Sequence, residues 1–175
     1  MLLLTAARHL READQHVHAG GWQDQWRVDT PIVFGKRLGI LGMGTIGGKI
    51  AYRAARGFDM EVGYHNRKPV AGASYRYFES LVELAAWCDF LVVAGPGGAG
   101  TRHLVNAAVL AALGPKGYLV NTGRGTVVDT AALIDALRAR GLAGAGLDVL
   151  EGEPSLPPLL PELLQFANVV ITPHR

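Results

Sequence analysis

Arg37-Leu38-Gly39-Ile40-Leu41-Gly42-Met43-Gly44-Thr45-Ile46-Gly47 is the stretch that decides the fold. A short apolar run leads directly into Gly-x-Gly-x-x-Gly, and a helical pattern from Lys49 to about Phe58 follows. A strand, a glycine loop and a helix in that order make a dinucleotide site. The first Gly permits the tight turn, the second lets the backbone approach a pyrophosphate, and the third lets helix pack on strand. The phosphates would then rest on the helix N-terminus, where free N–H groups and the helix dipole favour anions. Gly42, Gly44 and Gly47, with Thr45 and Ile46 between them, are the candidate phosphate-binding residues.

Working outward, apolar runs alternate with helical patterns. Met60 to Tyr64 reads as a second strand, and Ser80-Leu81-Val82-Glu83 opens a helix with a capping box. Phe90-Leu91-Val92-Val93-Ala94 is a third strand, stopped by Gly95-Pro96-Gly97-Gly98. Asn106 can cap a helix over Ala107 to Leu113. Tyr118 to Asn121 is a fourth strand, Thr130 to Arg140 a helix closed by Gly141, and Ala143 to Leu150 contains a fifth strand. A Pro-rich connection precedes a last strand at Val169-Val170-Ile171-Thr172. The runs are continuously apolar rather than alternating, which marks strands buried on both faces. The expectation is an α/β domain with a doubly wound parallel sheet, the Rossmann fold. Leu2 to about Asp14 reads as one amphipathic helix with Leu3, Leu4, Ala7 and Leu10 on its apolar side.

Composition sets the outer bounds. The 175 residues carry 17 Lys or Arg and 15 Asp or Glu, a net charge of +2 with no basic block, so nucleic acid is not an expected partner. An apolar fraction of 49% and a charged fraction of 18% exclude disorder. No apolar run approaches the roughly 18 residues of a membrane span, and charged residues interrupt the apolar start too early for a signal peptide. A cytoplasmic protein is the default. The excess of Arg over Lys, 13 to 4, suggests a bacterial source. The lone Cys88 sits in an apolar context and reads as an inert buried thiol. His16 and His18 are two apart and would not share a helix face, so no metal site is expected.

The end of the second strand bears on the cofactor. An NAD site wants an acid about 20 residues beyond the glycine loop to hold the ribose hydroxyls. Asn66 stands 19 residues after Gly47, followed by Arg67 and Lys68. An acid there would repel a 2′-phosphate, whereas Asn66 can hydrogen-bond it and Arg67 can bind it as a charged fork. NADP(H) is therefore favoured, with NAD(H) possible.

Two further segments carry chemistry. Asn121-Thr122-Gly123-Arg124-Gly125 places an Arg at the end of a buried strand, facing the cleft where such sheets bind ligands. Leu147-Asp148-Val149-Leu150-Glu151-Gly152-Glu153-Pro154 and Thr172-Pro173-His174 bring carboxylates and an imidazole to the ends of later strands.

With the glycine loop, these segments resemble, in order and spacing, the nucleotide-binding domain of the D-isomer-specific 2-hydroxyacid dehydrogenases. The resemblance covers nearly the whole chain. His65-Asn66-Arg67-Lys68 and Leu113-Gly114-Pro115-Lys116-Gly117 are similar to the NADPH-preferring glyoxylate, hydroxypyruvate and hydroxyphenylpyruvate reductases.

The resemblance implies roles. Arg124 would hold the carboxylate of a small 2-oxo or 2-hydroxy acid and polarise its ketone. His174 would be the proton donor in reduction and the base in oxidation, and Glu153 would orient it. A carboxylate beside an imidazole favours the charged ring and keeps a proton available. Asp148 would lie near the nicotinamide amide, and Thr122 and Gly123 would border the ring, beside Arg124 and His174. Thr101 and Ala94-Gly95-Pro96 would flank the adenosine half. Glu151 reads as a solvated acid and His103 as a surface helix-start residue. Trp22, Trp26 and Trp87 read as packing anchors. The family's first helix and loop, about residues 1–35 here, help build a homodimer, which would put Trp22 and Trp26 at an interface, with a Rossmann core over about 36–175. In Gly57-Phe58-Asp59 the family usually has the Gly after the Phe, and only a changed helix end is expected.

The family's chains are roughly twice this length, with a substrate domain assembled from both chain ends. The expectation is that these 175 residues do not include that domain. The expectation is a chain that binds NADP(H) but turns over slowly or not at all. Transcriptional co-repressors that sense the dinucleotide also resemble this family, so a binding module without significant catalysis is the alternative.

Overall fold

The computed structural model describes residues 1–23 and 30–174. Trp26 lies outside the described residues. The first strand of the sheet, β1 (Arg37–Leu41), leads into helix α3 (Thr45–Gly57), with α1 (Leu2–Ala7) and α2 (Leu10–His18) before it. The chain continues through β2 (Glu61–His65), β3 (Arg76–Tyr77), α4 (Leu81–Trp87), β4 (Phe90–Val93), α5 (Ala107–Leu113) and β5 (Tyr118–Asn121). It ends with α6 (Thr130–Arg138), β6 (Gly144–Leu147), α7 (Leu160–Leu163) and β7 (Val169–Ile171).

The seven strands form one sheet in the order β3-β2-β1-β4-β5-β6-β7, every pairing parallel. The chain starts in the middle, steps outward through β2 and β3, then returns to build β4 to β7 on the other side. The order reverses between β1 and β4, and a ligand crevice is expected there, outside the strands' carboxyl ends.

The continuous apolar strands follow from the layers. Along β4, Leu91 and Val93 pack into one core with α4, α5 and α6, while Phe90 and Val92 pack into a second core with α1 and α3. Each successive side chain of β4 meets a helix layer, so no position on that strand faces water. Side chains also set helix starts. Ser80 Oγ accepts the Glu83 N–H at 3.4 Å, and Asn106 Oδ1 accepts the Ala108 and Val109 N–H groups at 3.1 and 3.2 Å.

The structure differs from the sequence expectation at several local points. The single helix expected over Leu2 to Asp14 is two helices, because His9 adopts a left-handed conformation with φ 48° between them. α1 lies on the sheet, with Ala6 and Ala7 buried and Leu2 against Gly146, whereas α2 buries no residue and leaves Leu10 58% exposed. α3 begins at Thr45 rather than Lys49, and the strand pair β2–β3 adds a short edge that carries little pattern. α6 stops at Arg138 because Arg140, one residue before Gly141, takes the left-handed position at φ 55°. The altered end of α3 is as expected: Asp59 (φ 49°) supplies the left-handed residue that follows it.

Candidate active site

Parallel pairing puts the glycine loop, Asn66, Ala94-Gly95-Pro96, Thr122 to Arg124, Asp148 and Thr172 to His174 beyond the same ends of their strands. At the reversal point the floor is bare backbone. Gly42 has φ +101°, and a Cβ on it would lie 2.5 Å from Gly95 N and Cα. A Cβ on Gly123 would lie 2.6 Å from Gly95 O. The loops after β1, β4 and β5 therefore touch one another through glycine.

A Cβ on Gly47 would meet Gly42 O at 2.2 Å, so this residue lets α3 start tight against the loop. A Cβ on Gly44 would meet nothing within 4 Å. Gly44 is also the N-cap of α3 and makes no side-chain cap bond, leaving the first N–H groups of the helix, from Thr45 to Gly47, to an outside acceptor. Open space over uncapped N–H groups at a helix of 13 residues is what a dinucleotide pyrophosphate fits.

At the end of β2, Asn66 Oδ1 accepts the Met43 N–H at 2.7 Å, and Tyr77 donates its hydroxyl to the Asn66 carbonyl at 3.3 Å. Asn66 thus braces the glycine loop. Because Met43 N–H can only donate, the amide oxygen faces the loop and the NH2 group is the donor left for a ligand. Arg67 and Lys68 follow, exposed on the surface. Ala94 donates its N–H to Leu41 O at 2.9 Å, and Thr101 Oγ lies 3.2 and 3.1 Å from the carbonyls of Pro96 and Gly98. The Thr101 hydroxyl closes its own loop.

Arg124 is presented by a residue to which the sequence reading gave no role. Asn121, at the end of β5, is 1% exposed. Its Oδ1 accepts the Gly123 N–H and its Nδ2 donates to the Arg124 carbonyl, both at 3.1 Å. The amide so shapes the turn that delivers Arg124 to the surface. The guanidinium Nη1 donates to Gly123 O at 2.7 Å, and Thr122 Oγ donates to Val93 O at 3.2 Å. The signal for Asn121 was present, as a polar residue ending an apolar strand.

On the other side, Thr172 Oγ donates to Asp148 Oδ1, tying the end of β7 to the end of β6. Glu153 Oε1 accepts the Leu150 N–H at 2.7 Å, and Glu153 Oε2 meets His174 Nδ1 at 2.5 Å. A carboxylate beside Nδ1 assigns the proton to that nitrogen and leaves Nε2 for a substrate. Glu153 and His174 are thus a built pair, with the His174 side chain 51% exposed.

Three expectations are corrected. His103 does not start a helix; its backbone is left-handed (φ 51°), and Nε2 lies 3.0 and 3.1 Å from the two Glu151 carboxylate oxygens. Glu151 is not a solvated acid. It is also paired with Arg102 at 2.7 Å, and its side chain is 24% exposed. The two residues stand 48 positions apart, so no local pattern joins them. Trp87 is a packing anchor, 5.1 Å from the Phe78 ring and flanked by Arg37 and Arg76. Trp22 is not one, at 80% exposure. Burial pushes the Cys88 thiol up to about 12, as an inert thiol requires. No helix among the described residues is long and apolar enough to cross a membrane.

Comparison with known proteins agrees with this geometry. The family model described as D-isomer specific 2-hydroxyacid dehydrogenase, NAD binding domain, matches residues 1–175. A hydroxyphenylpyruvate reductase of Plectranthus scutellarioides is 43% identical over 174 residues, 99% of this chain and 54% of its own. A glyoxylate reductase of Thermococcus gammatolerans is 41% identical over 182 residues, 99% of this chain and 53% of its own. The crystal structure of the NADPH-dependent glyoxylate/hydroxypyruvate reductase of Sinorhizobium meliloti, in complex with NADP and malonate, superposes with a TM-score of 0.88. It is 43% identical and covers 99% of this chain and 54% of that one. The chain thus spans about half the length of the relatives it matches. It belongs to the D-isomer-specific 2-hydroxyacid dehydrogenases, as their NAD(P)-binding domain.

Proposed function

We propose that this domain binds NADP(H) in preference to NAD(H) and serves the reduction of a small 2-oxo acid, glyoxylate, hydroxypyruvate or a similar one, to its D-2-hydroxy acid. The observation that carries the proposal is the Glu153–His174 pair, at the same edge of one parallel sheet as Arg124 and the glycine cradle. When bound, the reduced nicotinamide supplies the hydride. Arg124 holds the substrate carboxylate, for which a guanidinium fork is matched, and draws electron density from the ketone. Glu153 fixes the ring of His174 through Nδ1, so that Nε2–H can protonate the nascent alkoxide. Asp148, Thr122 and Gly123 border the nicotinamide, while Ala94, Gly95, Pro96 and Thr101 flank the adenosine half.

The cofactor preference rests on the Asn66 NH2 group and the exposed Arg67 and Lys68, all donors and cations where NAD would want a carboxylate. Titration with NADPH and NADH separately, read by tryptophan quenching or calorimetry, tests it. Tighter NADH binding would sink the proposal. Arg67→Asp should weaken NADPH by roughly tenfold to a hundredfold, the loss of one charge-assisted contact, and spare NADH.

We also propose a homodimer through about residues 1–35, supported by the exposed Leu10, Val17, Trp22, Ile32 and Phe34. For the 175-residue chain alone the expected behaviour is cofactor binding with slow turnover or none. Ordinary steady-state rates with glyoxylate or hydroxypyruvate and NADPH would refute this.

A further inference from the structure

Glu153 orients His174, yet its bond to the Leu150 N–H lies within its own loop and does not fix that loop to the sheet. The fixing contacts come two and three residues earlier. Leu150 and Glu151 rest their backbone on Gly125, where a Cβ would be 2.0 Å from the Leu150 carbonyl. The Glu151 carboxylate then reaches the segment after β4, accepting from Arg102 Nη2 at 2.7 Å and from His103 Nε2 at 3.0 Å.

That segment is itself stitched beside the Arg124 turn. His103 donates its N–H to Thr126 O at 2.9 Å, Val105 donates to Val127 O at 3.0 Å, and Asp129 donates back to Val105 O at 3.0 Å. His103 Nδ1 lies 3.7 Å from Asp129 Oδ2, and Asp129 caps α6. The half-buried Glu151 is therefore the side-chain cross-link between the loop that carries Glu153 and the backbone that follows Arg124.

We infer that Glu151, gripped by Arg102 and His103, is a positioning residue that acts through Glu153 to hold His174 in register with Arg124. The inference rests on the reductase reading given above. A solvated acid would have no such effect, and a purely structural one would not discriminate Glu153–His174 pairing from overall folding.

The test uses the 175-residue chain with labelled histidine. The His174 Nδ1 proton, shared with Glu153 at 2.5 Å, should give a far-downfield NMR resonance. Glu151→Ala and Arg102→Ala should each lose or broaden it while leaving NADPH affinity and the melting profile unchanged. Glu151→Gln should retain it, because its amide oxygen can still accept from both donors. Persistence in Glu151→Ala, or loss in Glu151→Gln as well, overturns the inference. A wild-type chain that binds NADPH but lacks the resonance overturns the Glu153–His174 pairing and the inference together. Failure of the wild type to bind NADPH overturns the reductase reading beneath them.

Discussion

Replacing Asn121 by Ala should destabilise the domain more than its size suggests. The side chain is 1% exposed and supplies the partner for a buried Gly123 N–H and a partly buried Arg124 carbonyl. Leaving a buried donor unsatisfied costs about 1–3 kcal/mol, and losing a half-exposed bond about 0.5–1.5 kcal/mol. Together these predict a loss of about 2–4 kcal/mol. With a urea slope of roughly 2 kcal/mol per molar for a domain of this size, the unfolding midpoint should fall by about 1–2 M. Equilibrium unfolding followed by circular dichroism reads this directly, provided the slope is unchanged. Because the amide shapes the turn that holds Arg124, binding of a dicarboxylate such as malonate to the folded variant should weaken as well. A midpoint shift below about 0.5 M, or about 1 kcal/mol, would refute the reasoning by showing that water replaces the amide.

Two other outcomes are expected. Gly44→Ala should fold like the parent, since nothing lies within 4 Å of the added methyl, yet lose dinucleotide affinity in the quenching assay, whereas Gly47→Ala, 2.2 Å from Gly42 O, should lose stability as well. Cys88, with its thiol pushed up to about 12, should resist a thiolate-directed reagent at pH 8 until the chain is unfolded; since the unfolded thiol ionises near 9.0 and the folded one does not, stability should fall as pH rises between those values, as alkaline unfolding curves with a Cys88→Ala control would show.

How much of this was legible in the sequence depended on range. The glycine loop, Asn66-Arg67-Lys68, and the strand-end Arg124 and His174 each declare themselves within a dozen residues, because a tight turn, a helix start and a buried strand all impose local composition. The caps at Ser80 and Asn106 were readable for the same reason. The contact of His103 with Glu151 was not, since two loops that follow different strands become neighbours only once the sheet has formed. Asn121 lay between these cases: its polarity was visible, but its two bonds depend on the turn it creates. The break at His9 escaped because the apolar spacing of residues 3 to 10 suits one helix, and nothing in that spacing marks the left-handed residue that divides it.

The glycine contacts joining the loops after β1, β4 and β5 bear on how such a domain can change its ligand. Where three loops meet backbone to backbone, a side chain on Gly42 or Gly123 would force its neighbours apart, so those two positions of the crevice floor are closed to mutational tuning. New preference must be written at its margins, in residues such as Arg67 and Lys68 whose side chains have room to be exchanged singly. A relative that switches cofactor should therefore differ there while Gly42 and Gly123 stay as they are, and a library confined to the margins should yield more folded, altered binders than one that includes those two glycines.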